Sequence, residues 1–468
     1  MQEKSEEYSP SVKVPQKLQQ HVLHVFREAC ADALGSDLDT TLQEVKRHLY
    51  NRNFREAFAT EQNLQAYAAR WSPSRALAYL QIFQDISDIV AQSVRRDSAD
   101  DGRNGSVARD ELQTVAGLSD LRISNHEAPS SSLQSTVPGS RESENAENDD
   151  AFSFVEIMMD DGTEDKPPAY DGKATVPEYE NPPSYPANSA SSVANGDQSS
   201  RPGLQLACLG GGAGAELVAC AAWLRQQADE AAEDDDPLVG ESPIDLNSAE
   251  IYCVDIADWA AVIDRLETAI TSPPTISKYA SAAAKAANSA LIPAGAMKIE
   301  TVQQDLLDAN IDCLRSIFQT SDLITMMFTL NELYSTSVSK TQRLLFELTV
   351  ATRPGTLLLV VDSPGSYSTV TINGAEKKYP MHWLLDHTLL EVSKKTRFLP
   401  PGEHWEKLLT DQSRWFRLPK DLQYPIELEN MRYQIHLYRR NEVEEEPVGP
   451  RRGSRGTRET CGPMSLGS

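Results

Sequence analysis

L-A-C-L-G-G-G-A-G-A-E-L-V, residues 206–218, is an apolar run that stops at three successive glycines, takes in Gly214 and continues as an alanine-rich amphipathic segment. A strand ending in a glycine turn that opens a helix lets backbone N–H groups approach a bound nucleotide closely. No Cβ intervenes, and the helix N-terminus is electropositive. Gly210, Gly211, Gly212 and Gly214 are therefore the expected cradle of an adenosine-like ligand.

Outward from this turn, strands and helices alternate, which predicts a mostly parallel sheet covered on both faces. Strands are expected at 204–209, 251–254, 298–303, 323–329 and 356–362, with a late pair near 415–418 and 433–438. Helices are expected at 215–228, 259–268, 338–352, 380–392 and 404–411, and an acidic loop at 229–248. The second strand ends at Asp255, where a carboxylate accepts hydrogen bonds from the ribose hydroxyls of a nucleoside on the glycine turn. Asp305 follows the third strand, placed either to meet the adenine amino group or to cap a helix at Leu306. Ligands in open α/β sheets bind outside the carboxyl ends of the strands, so Asn331, Glu332 and Tyr334 in T-L-N-E-L-Y-S are expected to face the reacting group. Two fingerprints fit the glycines. Gly210, Gly212 and Ala215 satisfy the dinucleotide pattern G-x-G-x-x-G/A, whereas Gly210, Gly212 and Gly214 satisfy the G-x-G-x-G of enzymes that use S-adenosylmethionine. The late strand pair favours methyl over hydride transfer, because dinucleotide folds continue with a second mononucleotide half and too few residues follow Asp362 to build one.

The formal charge is −25, but residues 97–200 carry 21 acidic against 6 basic side chains, so the remainder is far closer to neutral and a polyanionic ligand is not excluded. That segment is rich in serine, asparagine and proline, and the chain from 97 to 202 is expected to be a disordered linker. It contains Pro167-Pro168-Ala169-Tyr170 and Pro182-Pro183-Ser184-Tyr185, paired P-P-x-Y sequences of the kind WW domains accept. Residues 15–96 read as a small all-helical domain in which Ser72-Pro73 looks like a helix start. Its basic residues, Lys46, Arg47, Arg52, Arg55, Arg70 and Arg75 among them, either hold a phosphate backbone or form solvated helix faces. Residues 1–14 and 441–468 are expected to be disordered. Six cysteines without a C-x-x-C pair, and no histidine at ligand spacing, predict reduced thiols and no metal site. No signal sequence or long apolar run is seen, so a soluble, non-secreted monomer of cytoplasm and nucleus, including the nucleolus, is expected, without membrane contact.

Four segments, A-R-W-S-P-S-R-A-L-A-Y (69–79), C-L-G-G-G-A-G-A-E-L-V-A (208–219), D-L-I-T-M-M-F-T-L-N-E-L-Y-S-T-S (322–337) and G-T-L-L-L-V-V-D-S-P-G-S-Y-S (355–368), occur in the order of a known family. They resemble the fungal S-adenosylmethionine-dependent family that methylates N3 of a uridine in 25S-type large-subunit ribosomal RNA. The resemblance implies a Rossmann-like class I methyltransferase domain over 203–440, with ribosomal RNA in a large-subunit precursor as substrate. It implies cofactor contacts from Gly210, Gly212, Gly214, Glu216 and Asp255, and substrate contacts from Asn331 and Glu332. Cys208 departs from the general pattern, which keeps an acidic residue there, so Glu216 or a later carboxylate is left to meet the methionine amino group. Glu332, ahead of Tyr334, is the expected base for the N3 proton, and Tyr334, Tyr367 or Trp383 the expected stacking partner of an unpaired uridine. A protein or small-molecule acceptor, and a non-catalytic adaptor recruited through the P-P-x-Y pair, remain as alternatives.

Overall fold

The computed structural model describes residues 13–35, 37–100, 203–233, 245–308, 312–365, 367–372, 375–395 and 399–443. All but residues 13–14 and 441–443 of the expected disordered ends, nearly all of the acidic linker with both P-P-x-Y sequences, and the middle of the acidic loop lie outside the described residues.

Seven strands form one sheet: β1 (Gly203–Leu209), β2 (Asp245–Asp255), β3 (Met297–Gln303), β4 (Leu323–Met327), β5 (Leu357–Asp362), β8 (Trp405–Phe416) and β9 (Met431–Arg440). Their spatial order is β3-β2-β1-β4-β5-β9-β8, the first five parallel and the last two antiparallel. A separate hairpin, β6 (Tyr367–Ile372) and β7 (Ala375–Pro380), follows β5. The order reverses between β1 and β4, and at such a switch point a ligand crevice opens beyond the carboxyl ends. The acidic loop is shorter than expected, because the helix after β1 continues to Glu233 and β2 starts at Asp245.

β5, L-L-L-V-V-D, is buried on both faces, as a continuous apolar strand in a parallel sheet should be. Leu357, Leu359 and Val361 point into one hydrophobic cluster, and Leu358 and Val360 into another. The second cluster holds α9 (Asp312–Thr320), α10 (Leu330–Thr336), α11 (Val338–Ala351) and α12 (Met381–Asp386). The first cluster joins α6 (Ala215–Glu233) and α7 (Ala260–Thr271) to helices from the amino-terminal region, α1 (Gln16–Ala29) and α4 (Glu61–Asp85). Val22, Phe26, Leu77 and Phe83 thus share one core with Leu217, Trp223, Leu266 and Ile435. α2 (Leu38–Tyr50) and α3 (Phe54–Ala57) pack on α4 through Leu42, Val45, Leu49 and Trp71, and α5 (Ser87–Asp100) runs four residues past the expected end of the helical region.

Two expectations are corrected. Ser72-Pro73 starts no helix: α4 begins at Glu61, where the Thr60 hydroxyl accepts from the Asn63 N–H, and it runs through the proline. Pro73 removes the donor owed to the carbonyl of Ala69, and the Tyr424 hydroxyl donates to that carbonyl instead (2.9 Å). The helix expected at 404–411 is the first half of β8. Bulges at Lys407/Leu409 and Asp411/Arg414 break its side-chain alternation, which leaves Trp405, Leu408 and Leu409 at helix-like spacing. Among the described residues no helix is long and apolar enough to cross a membrane, and no group of three or more His, Cys, Asp or Glu is placed to hold a metal ion.

Candidate active site

β1 hands directly to α6 through the glycines. The Gly210 N–H donates to the Val254 carbonyl (2.7 Å) and that of Gly212 to Asp255 Oδ2 (3.1 Å), so the turn is tied to the end of β2. Gly210 has φ +83°, and a Cβ there would collide with the Thr329 side chain beyond β4; a Cβ on Gly212 would run into the indole of Trp259. Close packing of Thr329 and Trp259 on the turn therefore requires glycine at these positions.

Asp255 closes the far side. Its Oδ1 accepts from the Ala257 N–H (3.2 Å). Burial raises its pKa, with the N–H groups of Ala257 and Gly212 opposing the rise. Cys253, Asp255, Ala257, Asp258, Trp259, Thr301, Val302 and Gln303 line a pocket of about 140 Å³. Ile256, beside it, is an exposed apolar side chain at 37%. A carboxylate at the ribose position, an apolar side chain and a pocket between the ends of β2 and β3 fit an adenosine. Asp305 does not line this pocket. Its Oδ1 accepts from the Leu307 N–H (2.8 Å), closing a turn rather than capping a helix, and α9 starts only at Asp312.

Cys208, at the position where the general pattern has an acidic residue, is a core side chain paired in register with Cys253, so its face of β1 belongs to the packing beneath the turn. A second acid packs beneath the glycines: Glu216, 3% exposed, with no partner for Oε1. Burial pushes its carboxyl up to about 7, only partly opposed by hydrogen bonding to its own backbone N–H and by Arg75. An unpartnered acid under the glycine turn is the residue type a ligand's ammonium group requires.

The other half of the cleft is built after β4. Phe328 sits at φ +58°, its N–H donating to Val361 (2.7 Å), and this kink starts α10 at the cleft. The Asn331 N–H donates to Asp362 Oδ2 (2.9 Å) and that of Ser363 to Oδ1 (2.8 Å). Asp362 is 1% exposed, and burial pushes it up to about 7. Glu332 lies near enough to add to that rise. Its own carboxyl is raised by burial and lowered by Arg52, and its Oε2 has no partner. Arg52 reaches over from the α2–α3 turn, Nη1 donating to the Ser335 carbonyl (3.1 Å).

Tyr334 does not join this group. It is 2% exposed among Leu330, Leu344, Met381 and Leu385 on the opposite face of α10, because two residues on from Glu332 is about 200° round a helix, while four on from Leu330 keeps the core face. Trp383 is exposed at 42% and stacks on Tyr379 and His387. The side chain of Tyr367 lies outside the described residues.

The residues that local pattern did not single out for the site are Ser72, Arg75 and Asp362. The Ser72 hydroxyl donates to the Ala213 carbonyl (2.8 Å), so α4 grips the glycine turn. The signal available was the A-R-W-S-P-S-R segment itself, whose cap-like Ser-Pro pair hid its tertiary use.

Residues 26–439 match the family model described as "Putative SAM-dependent methyltransferase". The chain belongs to the S-adenosylmethionine-dependent methyltransferases. A curated relative, the 25S rRNA (uridine(2843)-N(3))-methyltransferase of Saccharomyces cerevisiae, is 34% identical over 239 residues, 50% of this chain. The match spans 60% of that relative's length, less than two thirds. Among solved structures, a methyltransferase of Methanosarcina mazei aligns with 52% of this chain and 93% of its own, at 11% identity and a TM-score of 0.27. One from Clostridium acetobutylicum covers 51% and 84%, at 10% identity and a TM-score of 0.24.

Proposed function

We propose that the chain methylates N3 of a uridine in large-subunit ribosomal RNA. The observation that carries the acceptor is the 34% identity to the yeast uridine-N3 enzyme. The geometry supplies a matching arrangement on the cleft side opposite the adenosine pocket. When bound, S-adenosylmethionine supplies an activated methyl group; the chain aligns the acceptor and manages its proton. Gly210, Gly211, Gly212 and Gly214 form the floor, Asp255 meets the ribose hydroxyls and Glu216 the ammonium group. Glu332 accepts the N3 proton: its unpartnered oxygen and raised pKa make it a stronger base than an exposed glutamate. Asn331, fixed through its N–H on Asp362, positions the acceptor face.

The uridine must be unpaired to present N3, and the Tyr379–Trp383–His387 column is the exposed ring surface available beyond β7. Such a substrate would place the protein in nucleus and cytoplasm, where large-subunit precursors mature. The P-P-x-Y pair adds a proposed WW-domain contact, checked by titrating a 160–190 peptide against its Tyr170→Ala/Tyr185→Ala form. The test of the main assignment is nucleoside mass spectrometry of ribosomal RNA from cells with and without the gene. Loss of N3-methyluridine, restored by the wild-type chain, is expected; retention of every N3-methyluridine would sink the assignment.

A further inference from the structure

Arg75 has no part in the arrangement above, yet it stands at its centre. It lies in α4 one turn after Ser72, and its guanidinium is 5.0 Å from the ring centre of Phe328 and 5.9 Å from that of Tyr67. Nη1 donates to the Tyr67 hydroxyl (2.9 Å). A guanidinium offers five N–H donors in a planar fork suited to a carboxylate. The Tyr67 bond uses one of them, and the group stays partly exposed. The carboxyls of Glu216 and Asp362 both feel its charge. Among the described residues, however, no ion pair joins it to either, and Glu216 Oε1 remains without a partner. A cation beside Phe328 and an acid beneath Gly211 thus stand near one another unpaired, each with hydrogen-bonding capacity unspent. That is the complement of a zwitterion.

We propose that Arg75 binds the α-carboxylate of the cofactor's methionine end with its two-pronged fork, opposite Glu216 on the α-ammonium. The inference rests on the placement of S-adenosylmethionine at the glycine turn. It removes Arg75 from the basic residues available to an RNA backbone and makes the amino-terminal helical layer one wall of the cofactor site. Ser72 on Ala213 and Arg75 over Phe328 are successive turns of that wall.

The test is calorimetric binding of two probes, S-adenosylhomocysteine and 5′-methylthioadenosine, which lacks the amino-acid end. Arg75→Met is expected to weaken S-adenosylhomocysteine between about tenfold and a hundredfold, the range for a charged hydrogen-bonded pair, and to leave methylthioadenosine within about twofold. Equal losses for both probes would show a merely structural arginine and overturn the proposal, as would no loss for either. If the wild type binds neither probe, the cofactor placement itself falls, and the proposal with it. Should Arg75→Met melt below the working temperature, decarboxylated S-adenosylhomocysteine on the wild type makes the same comparison without a substitution. A loss of the same size supports the carboxylate contact, and equal affinity overturns it.

Discussion

The two halves of the cleft are built on opposite principles. On the glycine-turn side the backbone is tied down, Gly210 N–H on Val254, Gly212 N–H on Asp255 and Gln304 N–H on the Asp255 carbonyl, while Glu216 Oε1 beneath it is left open. Packing of Thr329 and Trp259 forbids side chains at the glycines, so this surface has one shape. On the α10 side, Glu332 and Asp362 both have a raised pKa through burial, Asp362 also feels the charge of Glu332, and Glu332 Oε2 has no partner. Buried acids left this way are costly, and such cost concentrates where protons are moved. The first half is a fixed backbone frame over a raised acid, Glu216; the second gathers two raised acids, Glu332 and Asp362, at the start of α10. Substitutions on the two sides should therefore separate binding from rate.

The largest effect is expected on the α10 side. Glu332→Gln keeps the shape and removes the base, and methyl transfer to a ribosomal RNA fragment should fall about a thousandfold, within the range for a lost general base. Cofactor affinity by calorimetry should stay within about twofold of wild type. An unchanged single-turnover rate would remove Glu332 from proton transfer. The mirror experiment is Gly212→Asp. It drives a side chain into the Trp259 indole and sets a second acid beside Asp255, so S-adenosylmethionine should bind about a hundredfold more weakly. Calorimetry with a melting curve as control measures it, and wild-type affinity would mean the ligand lies elsewhere.

This asymmetry also governs what the sequence could reveal. The glycine turn and Asp255 were legible because their roles are local: a strand, a glycine run and the end of the next strand. β1, β2 and β5 were legible as short apolar runs ending at a glycine or an aspartate, and β4 as an apolar run after Asp322. β8 was not, since two bulges erase the alternation that marks a strand. On the α10 side T-L-N-E-L-Y-S marked Asn331, Glu332 and Tyr334 as one group beyond β4. Helix phase, which no short motif encodes, decided that Glu332 faces the cleft and Tyr334 the core. Arg75 and Asp362 are 287 positions apart, and only the packing of α4 on the sheet brings them together. Likewise, Ser72-Pro73 carries the chemistry of a helix start, and tertiary contacts turned both residues to another use.

Between rate and rigid binding lies the titration of Glu216. Its carboxyl is held near 7, and an ammonium ligand needs the ionised form. With that pKa, about a tenth of the free protein is ionised at pH 6 and about nine tenths at pH 8, so affinity for S-adenosylmethionine should rise nearly tenfold across this interval and then level off. The sign follows from the raised value: protonation competes with the ligand below pH 7 and ceases to above it. Glu216→Gln should bind more weakly at pH 8 and lose the slope. Calorimetry at pH 6, 7 and 8 decides, and a slope that survives in Glu216→Gln would assign the titration to another acid, Asp362 first.

The smallest effect probes how the helical layer is held against the rigid half. Tyr424, from the β8–β9 connection, donates to the Ala69 carbonyl that Pro73 leaves without its helical partner. Tyr424→Phe keeps the ring and strands that carbonyl in a partly buried place, which should cost about 1 kcal/mol and lower the melting midpoint by roughly 2–4 °C. Pro73→Ala restores a backbone N–H within the helix, giving the carbonyl a local donor. In that background Tyr424→Phe should be nearly neutral, so the two substitutions are non-additive by about the full 1 kcal/mol. If the losses instead add, the hydroxyl and the proline act independently, and α4 is held to the cleft by apolar packing and Ser72 alone. The distinction bears on the cofactor wall, because Ala69, Ser72 and Arg75 are successive positions on one helix. A helix anchored at Ala69 on one side and at Ala213 on the other has little freedom left to move Arg75 away from Phe328.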